Sequence, residues 1–135
     1  GLSHPDVAEL LNRVRHPFNV NAPAQAAAIA ALGDQEHVAR SVAHNRREME
    51  RVSAGLTSLG LGYIPSVGNF VTVDLDRPAG PVDQALLREG GICRPVANYG
   101  LPTHLRISIG LETENDRMLA ALARVLDRGS AVTPK

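Results

Sequence analysis

A chain of 135 residues, 44% hydrophobic and 21% charged, has the composition of an ordinary globular domain, which excludes a disordered or fibrous class. Its 14 basic and 14 acidic residues cancel, and without a basic run or an aromatic stacking platform it is not a nucleic-acid binder. One cysteine, Cys93, excludes an intrachain disulfide; the five histidines lack zinc-type spacing, and no apolar run approaches the roughly 18 residues of a membrane span.

Taken in order, Ser3 and Asp6 read as a capping box for a helix with the stripe Val7, Leu10, Leu11 and Val14, stopped at Pro17. Residues 16–22 read as extended, because the position before a proline is pushed out of the α region. Pro23 suits the first turn of an alanine-rich helix over Gln25–Leu32, with Gly33 as its C-terminal cap and Asp34 capping the next helix. From Asp34 to Leu59 the stripe Val38, Val42, Asn45, Met49, Val52, Leu56 and Leu59 predicts a long amphipathic helix. Arg40, Arg46, Arg47, Glu48, Glu50 and Arg51 fall largely off that stripe.

Gly60 and Gly62 end that helix, and the loop Tyr63-Ile64-Pro65-Ser66 leads to a strand at Asn69–Leu75, which alternates Val71, Val73 and Leu75 against Phe70, Thr72 and Asp74. Gly80-Pro81 opens a helix that Gly90-Gly91 closes, and a short strand follows around Ile92–Val96. A third strand over His104–Gly110 alternates Leu105, Ile107 and Ile109 against Arg106 and Ser108. Thr113 caps a last helix with the stripe Met118, Leu119, Leu122, Val125 and Leu126. This order predicts an α+β fold, a split βαβ-like sheet of about three strands with the third between the other two and antiparallel to them. Helices are expected on one face only. The face with Thr72, Arg106 and Ser108 stays open. The expected organisation is 1–22 interdomain helix and linker, 23–128 small domain, and 129–135 disordered tail.

Few residues suggest chemistry. A guanidinium on a rigid strand, Arg106, is a planar fork matched to carboxylate or phosphate, or else a half-exposed arginine paired with a neighbour. Arg94 has the same two readings on a strand too short to fix its side. Ser66 and Asn69 are ligand donors or turn formers; His104 lacks a base or nucleophile partner, and Cys93 reads as buried filler. Of the 14 basic residues 13 are arginine, and the one lysine is Lys135. No phosphate loop, carboxylate pair or nucleophile elbow is present.

The motifs Pro17-Phe18-Asn19-Val20-Asn21, Tyr63-Ile64-Pro65-Ser66, Gly68-Asn69-Phe70-Val71, Gly91-Ile92-Cys93-Arg94-Pro95 and Leu105-Arg106-Ile107-Ser108-Ile109-Gly110, in this order and spacing, resemble the C-terminal third of the histidinol-phosphate aminotransferases, a branch of the type I pyridoxal-phosphate aminotransferases. The resemblance covers about residues 5–127. It implies a small domain that closes over a site whose large domain carries pyridoxal phosphate on a lysine. Arg106 would hold the substrate carboxylate or phosphate, and Arg94 and Asn69 would line the same pocket. It further implies histidinol phosphate and 2-oxoglutarate or glutamate as substrates, a homodimer in the full enzyme, and a cytoplasmic setting in histidine biosynthesis. The large domain, with its lysine, is missing here, so no cofactor is expected on this chain alone and no transamination by it. The competing expectations are a stand-alone small-molecule-binding or regulatory module and a scaffold using the 38–59 helix.

Overall fold

The computed structural model describes residues 2–17 and 19–130, so Phe18 and the tail from 131 onward lie outside the described residues. The chain divides into two compact units, Gly1–Ala39 and Arg40–Lys135.

In the first unit, α1 (Pro5–Val14) and α2 (Ala22–Gly33) bury none of their residues. Local bonds hold their ends. The cap of α1 is His4, whose side chain accepts from the Asp6 N–H, rather than the expected Ser3. Asn21 accepts from the Ala24 N–H at 2.9 Å, satisfying one of the orphan donors of the first turn of α2. Gly33 remains inside α2, and Asp34, at φ −91°, is the C-cap. As expected, Asp34 also accepts from the His37 N–H, at 2.9 Å, at the start of α3 (Gln35–Ser58).

The second unit contains the rest of α3 and a four-stranded sheet. Its strands are β1 (Gly62–Ile64), β2 (Phe70–Asp74), β3 (Arg94–Pro95) and β4 (His104–Ser108). They lie in the order β1-β2-β4-β3, and every neighbouring pair is antiparallel. β4 therefore sits between β2 and β3 as the α+β reading anticipated, and β1 is an added edge strand where a loop was expected. α4 (Ala79–Arg88) and α5 (Glu112–Ser130) complete the unit. Gly90 ends α4 at φ +82°, a left-handed conformation that a side chain would strain. Because α5 continues through Ser130, the expected tail is not broken off at residue 129.

One face of the sheet is covered. Val71 and Val73 of β2 and Leu105 and Ile107 of β4 pack with Val52 and Leu56 of α3, Val82 and Leu86 of α4, and Leu122 and Val125 of α5. Leu56, Leu86, Leu105 and Leu122 are fully buried, each contributing about 1.5–3 kcal/mol relative to exposure. The alternation in β2 and β4 leaves Phe70, Thr72, Asp74, His104, Arg106 and Ser108 on the other, accessible side.

Two expectations for α3 change. Val38 and Val42 are exposed, at 47% and 53%, since the stripe runs on past the part of the helix that meets the core. Glu48, assigned to the polar side, is 1% exposed. Its carboxylate accepts from Arg51 Nη2 and Asn115 Nδ2, both at 2.8 Å, which offsets the cost of burying a charge.

Candidate functional site

The register of the sheet builds the site. Ile64 faces Thr72, Thr72 faces Arg106, and Arg106 faces Arg94, so the four residues form one row across the open face. The two-residue length of β3 hid the side on which Arg94 lies. Pairing opposite Arg106 assigns it to the open face.

Two guanidiniums on directly opposed residues repel one another. Among the described residues no carboxylate is paired with either. Arg106 is instead stacked on Phe70, its guanidinium carbon 5.1 Å from the ring centroid. Phe70 lies opposite Ser108, two residues along from Arg106, within reach for an aromatic ring. The contact holds the fork without consuming its donors. Phe70 was not among the candidates; strand alternation placed it with Thr72, but only the β2–β4 register brings it to Arg106.

The remaining candidates are distributed around this row. Asn69 precedes β2, is exposed, and its carbonyl accepts from the Ile109 N–H at 2.8 Å. It lies three positions before Thr72 along the chain. His104 is on the open face, its Nδ1 3.0 Å from the Thr103 hydroxyl and 3.8 Å from Asp74. The Asp76 backbone N–H, the Thr103 hydroxyl and nearby His104 hold the Asp74 carboxyl below its usual range. Ser66 accepts from the Gly68 N–H at 3.1 Å, which is turn chemistry. Cys93 lies against Met118, sulfur to sulfur at 3.8 Å, and burial pushes its thiol up to about 11. A protonated thiol is a poor nucleophile at neutral pH.

At the far end of β4 a polar cluster anchors the strand. Asn115 of α5 accepts from the Gly110 N–H at 2.9 Å and donates to the Gly110 carbonyl at 3.1 Å. A Cβ added at Gly110 would stand 2.5 Å from Glu114 Oε2, so that side chain, which folds back to accept from the Leu111 N–H at 2.7 Å, would have to shift. That backward bond, rather than Thr113, caps α5. Hydrogen bonds from Arg51 and Asn115 lower the Glu48 carboxyl from 4.5 to about 2, and Arg51 also pairs with Asp116 and donates to the Glu112 carbonyl.

Among the described residues, no group of three or more His, Cys, Asp or Glu side chains is placed to hold a metal ion, and no helix is long and apolar enough to cross a membrane. The open face thus carries two guanidiniums and a hydroxyl on one row, group types that can pair with a carboxylate or phosphate.

The family model for aminotransferase class I and II matches residues 1–122. Histidinol-phosphate aminotransferase 2 of Pseudomonas fluorescens is 60% identical over 129 residues, 96% of this chain and 35% of that protein. The Pseudomonas aeruginosa protein of the same name is 60% identical over 125 residues, 93% and 34%. Among solved structures, histidinol-phosphate aminotransferase from Sinorhizobium meliloti in complex with pyridoxal-5'-phosphate superposes with TM-score 0.80 at 31% identity, covering 94% of this chain and 36% of that one. The Clostridium acetobutylicum enzyme superposes with TM-score 0.83 at 26% identity, covering 91% and 38%. The chain thus spans about a third of the length of the relatives it matches. Pyridoxal phosphate is the cofactor of this family, and the described residues do not fit its covalent attachment, since none of them is a lysine. From the profile match, the sequence identity and the shared fold, this chain belongs to the class I and II aminotransferases.

Proposed function

We propose that this chain is the small-domain portion of a histidinol-phosphate aminotransferase, the part that grips the anionic group of the substrate. The single observation carrying this reading is the open-face row in which Arg106, stacked on Phe70, stands opposite Arg94, with no carboxylate among the described residues paired to either. Such a fork suits the phosphate of histidinol phosphate in one half-reaction and a carboxylate of 2-oxoglutarate or glutamate in the other. Arg94 is the second prong, and Asn69 lines the pocket from the start of β2. Small domain means residues 23–128 here, with 1–22 as the interdomain helix and linker.

The lysine and the remaining cofactor contacts then belong to a large N-terminal domain outside this chain, and the whole enzyme works as a cytoplasmic homodimer. The exposed stripe of α1, with Leu10 and Leu11 at 60% and 59%, supports a packing partner for the first unit. Pyridoxal phosphate, when bound by the whole enzyme, supplies the electron sink for amino transfer; the residues here bind and orient the substrate.

The test is a graft. This chain replaces the corresponding third of the Pseudomonas fluorescens relative, and amino transfer from histidinol phosphate to 2-oxoglutarate is followed. The chimera is expected to turn over, and the 135-residue chain mixed with pyridoxal phosphate is expected to show neither turnover nor the absorbance band of a lysine-bound cofactor. A folded, cofactor-loaded chimera without activity on histidinol phosphate contradicts the substrate assignment. A lysine-bound band on the chain alone contradicts the division of labour.

A further inference from the structure

The β2–β4 ladder ends in an unusual way. Phe70 pairs with Ser108, the Ile109 N–H reaches the Asn69 carbonyl at 2.8 Å, and one step further out lie Gly68 and Gly110. Carbonyls that leave a ladder need new donors. Here two consecutive residues of α3 provide them: Asn45 Nδ2 donates to the Gly68 carbonyl at 3.0 Å, and His44 Nε2 lies 3.0 Å from the Gly110 carbonyl.

The tautomer of His44 follows from its partners. Its Nδ1 is 3.2 Å from Arg47 Nη2, and arginine only donates, so Nδ1 is the acceptor and Nε2 carries the proton. In this arrangement the Nε2–H donates to the Gly110 carbonyl, beside the bond from Asn115.

Asn45 has the shorter route to the anion grip. A Cβ built on Gly68 would stand 3.3 Å from Cε1 of the Phe70 ring, so the ring lies against the glycine whose carbonyl Asn45 holds. The same ring carries the Arg106 guanidinium, 5.1 Å from its centroid. We infer that Asn45 is a positioning residue for Arg106: it fixes Gly68, Gly68 sets the Phe70 ring, and the ring sets the guanidinium. This rests on the reading of the open face as an anion grip and adds the element that aims it. The bland alternative, a structural bond at a sheet end, would leave the ring and the guanidinium where they are when the bond is lost.

The experiment uses the 135-residue chain and inorganic phosphate, followed by NMR of the arginine Nε–Hε signals. In the unaltered chain the Arg106 signal is shifted by the ring current of Phe70 and moves on adding phosphate. Asn45→Asp keeps the shape of the side chain but has no donor; it is expected to return the Arg106 signal toward that of a free arginine and to weaken phosphate binding about fivefold, the worth of one net hydrogen bond. Asn45→Ala, a better helix former, decides the matter if the aspartate variant does not fold. An Arg106 signal still ring-shifted in folded Asn45 variants, with phosphate binding unchanged, overturns the inference. A ring-shifted Arg106 in the unaltered chain that ignores phosphate overturns the anion-grip reading instead, leaving the positioning geometry intact.

Discussion

The two compact units differ in what their apolar stripes meet. In Arg40–Lys135, Val52 and Leu56 of α3 and Leu122 of α5 are buried, only 3%, 0% and 0% exposed. In Gly1–Ala39, the equally periodic stripe of α1 has Val7, Leu10, Leu11 and Val14 between 47% and 77% exposed. The difference teaches that helical periodicity declares which face favours burial and not whether anything covers it. One unit is held by a core, and the other by caps and local bonds.

The sharpest way to break that comparison is to truncate matched leucines. Leu56→Ala and Leu122→Ala are expected to lower the unfolding free energy by about 2–5 kcal/mol, measured by urea denaturation. Leu10→Ala is expected to stay within about 0.5 kcal/mol. Equal losses would mean that the first unit has a core of its own.

A smaller effect comes from the polar cluster in the second unit. Asn115→Leu removes a donor from buried Glu48 and both bonds to Gly110, and is expected to cost about 1–3 kcal/mol by the same measurement. A cost near zero would show that the cluster is decoration on an apolar core.

The smallest effect is a pH dependence. The folded Glu48 carboxyl is held at about 2 against an ordinary 4.5, so it stays ionised in the fold where the unfolded chain takes up a proton. Its stabilisation is present above about 4.5 and is lost as pH falls from there through about 2. Thermal unfolding of the unaltered chain and of Glu48→Gln should therefore converge as pH drops through that window. A gap of constant size across it would contradict the assignment.

Much of the fold was legible because the strongest signals were periodic. Val71, Val73, Leu105 and Ile107 alternate, and the antiparallel placement of β4 between β2 and β3 follows from short connections. β1 was not legible, because Gly62–Ile64 is three residues long, exposed along its length, starts on a glycine and runs into Pro65. Glu48 could not be recognised as buried, since its burial depends on donors from Arg51 and from Asn115, 67 positions away. At the site, alternation placed Arg106 on the open face. The pairing of Arg94 with Arg106, the stack on Phe70 and the bond from Asn45 to Gly68 are register facts, and a single sequence does not print its register.

The central claim is that Arg106 grips the anionic end of the substrate, and the most direct measurement is steady-state kinetics of Arg106→Gln in the Pseudomonas fluorescens graft. Loss of a charged hydrogen-bonding partner, worth about 1.5–3 kcal/mol, predicts a fall in kcat/KM for histidinol phosphate of roughly 10- to 150-fold, with cofactor binding unchanged. Wild-type kcat/KM in the folded, cofactor-loaded variant would contradict the account.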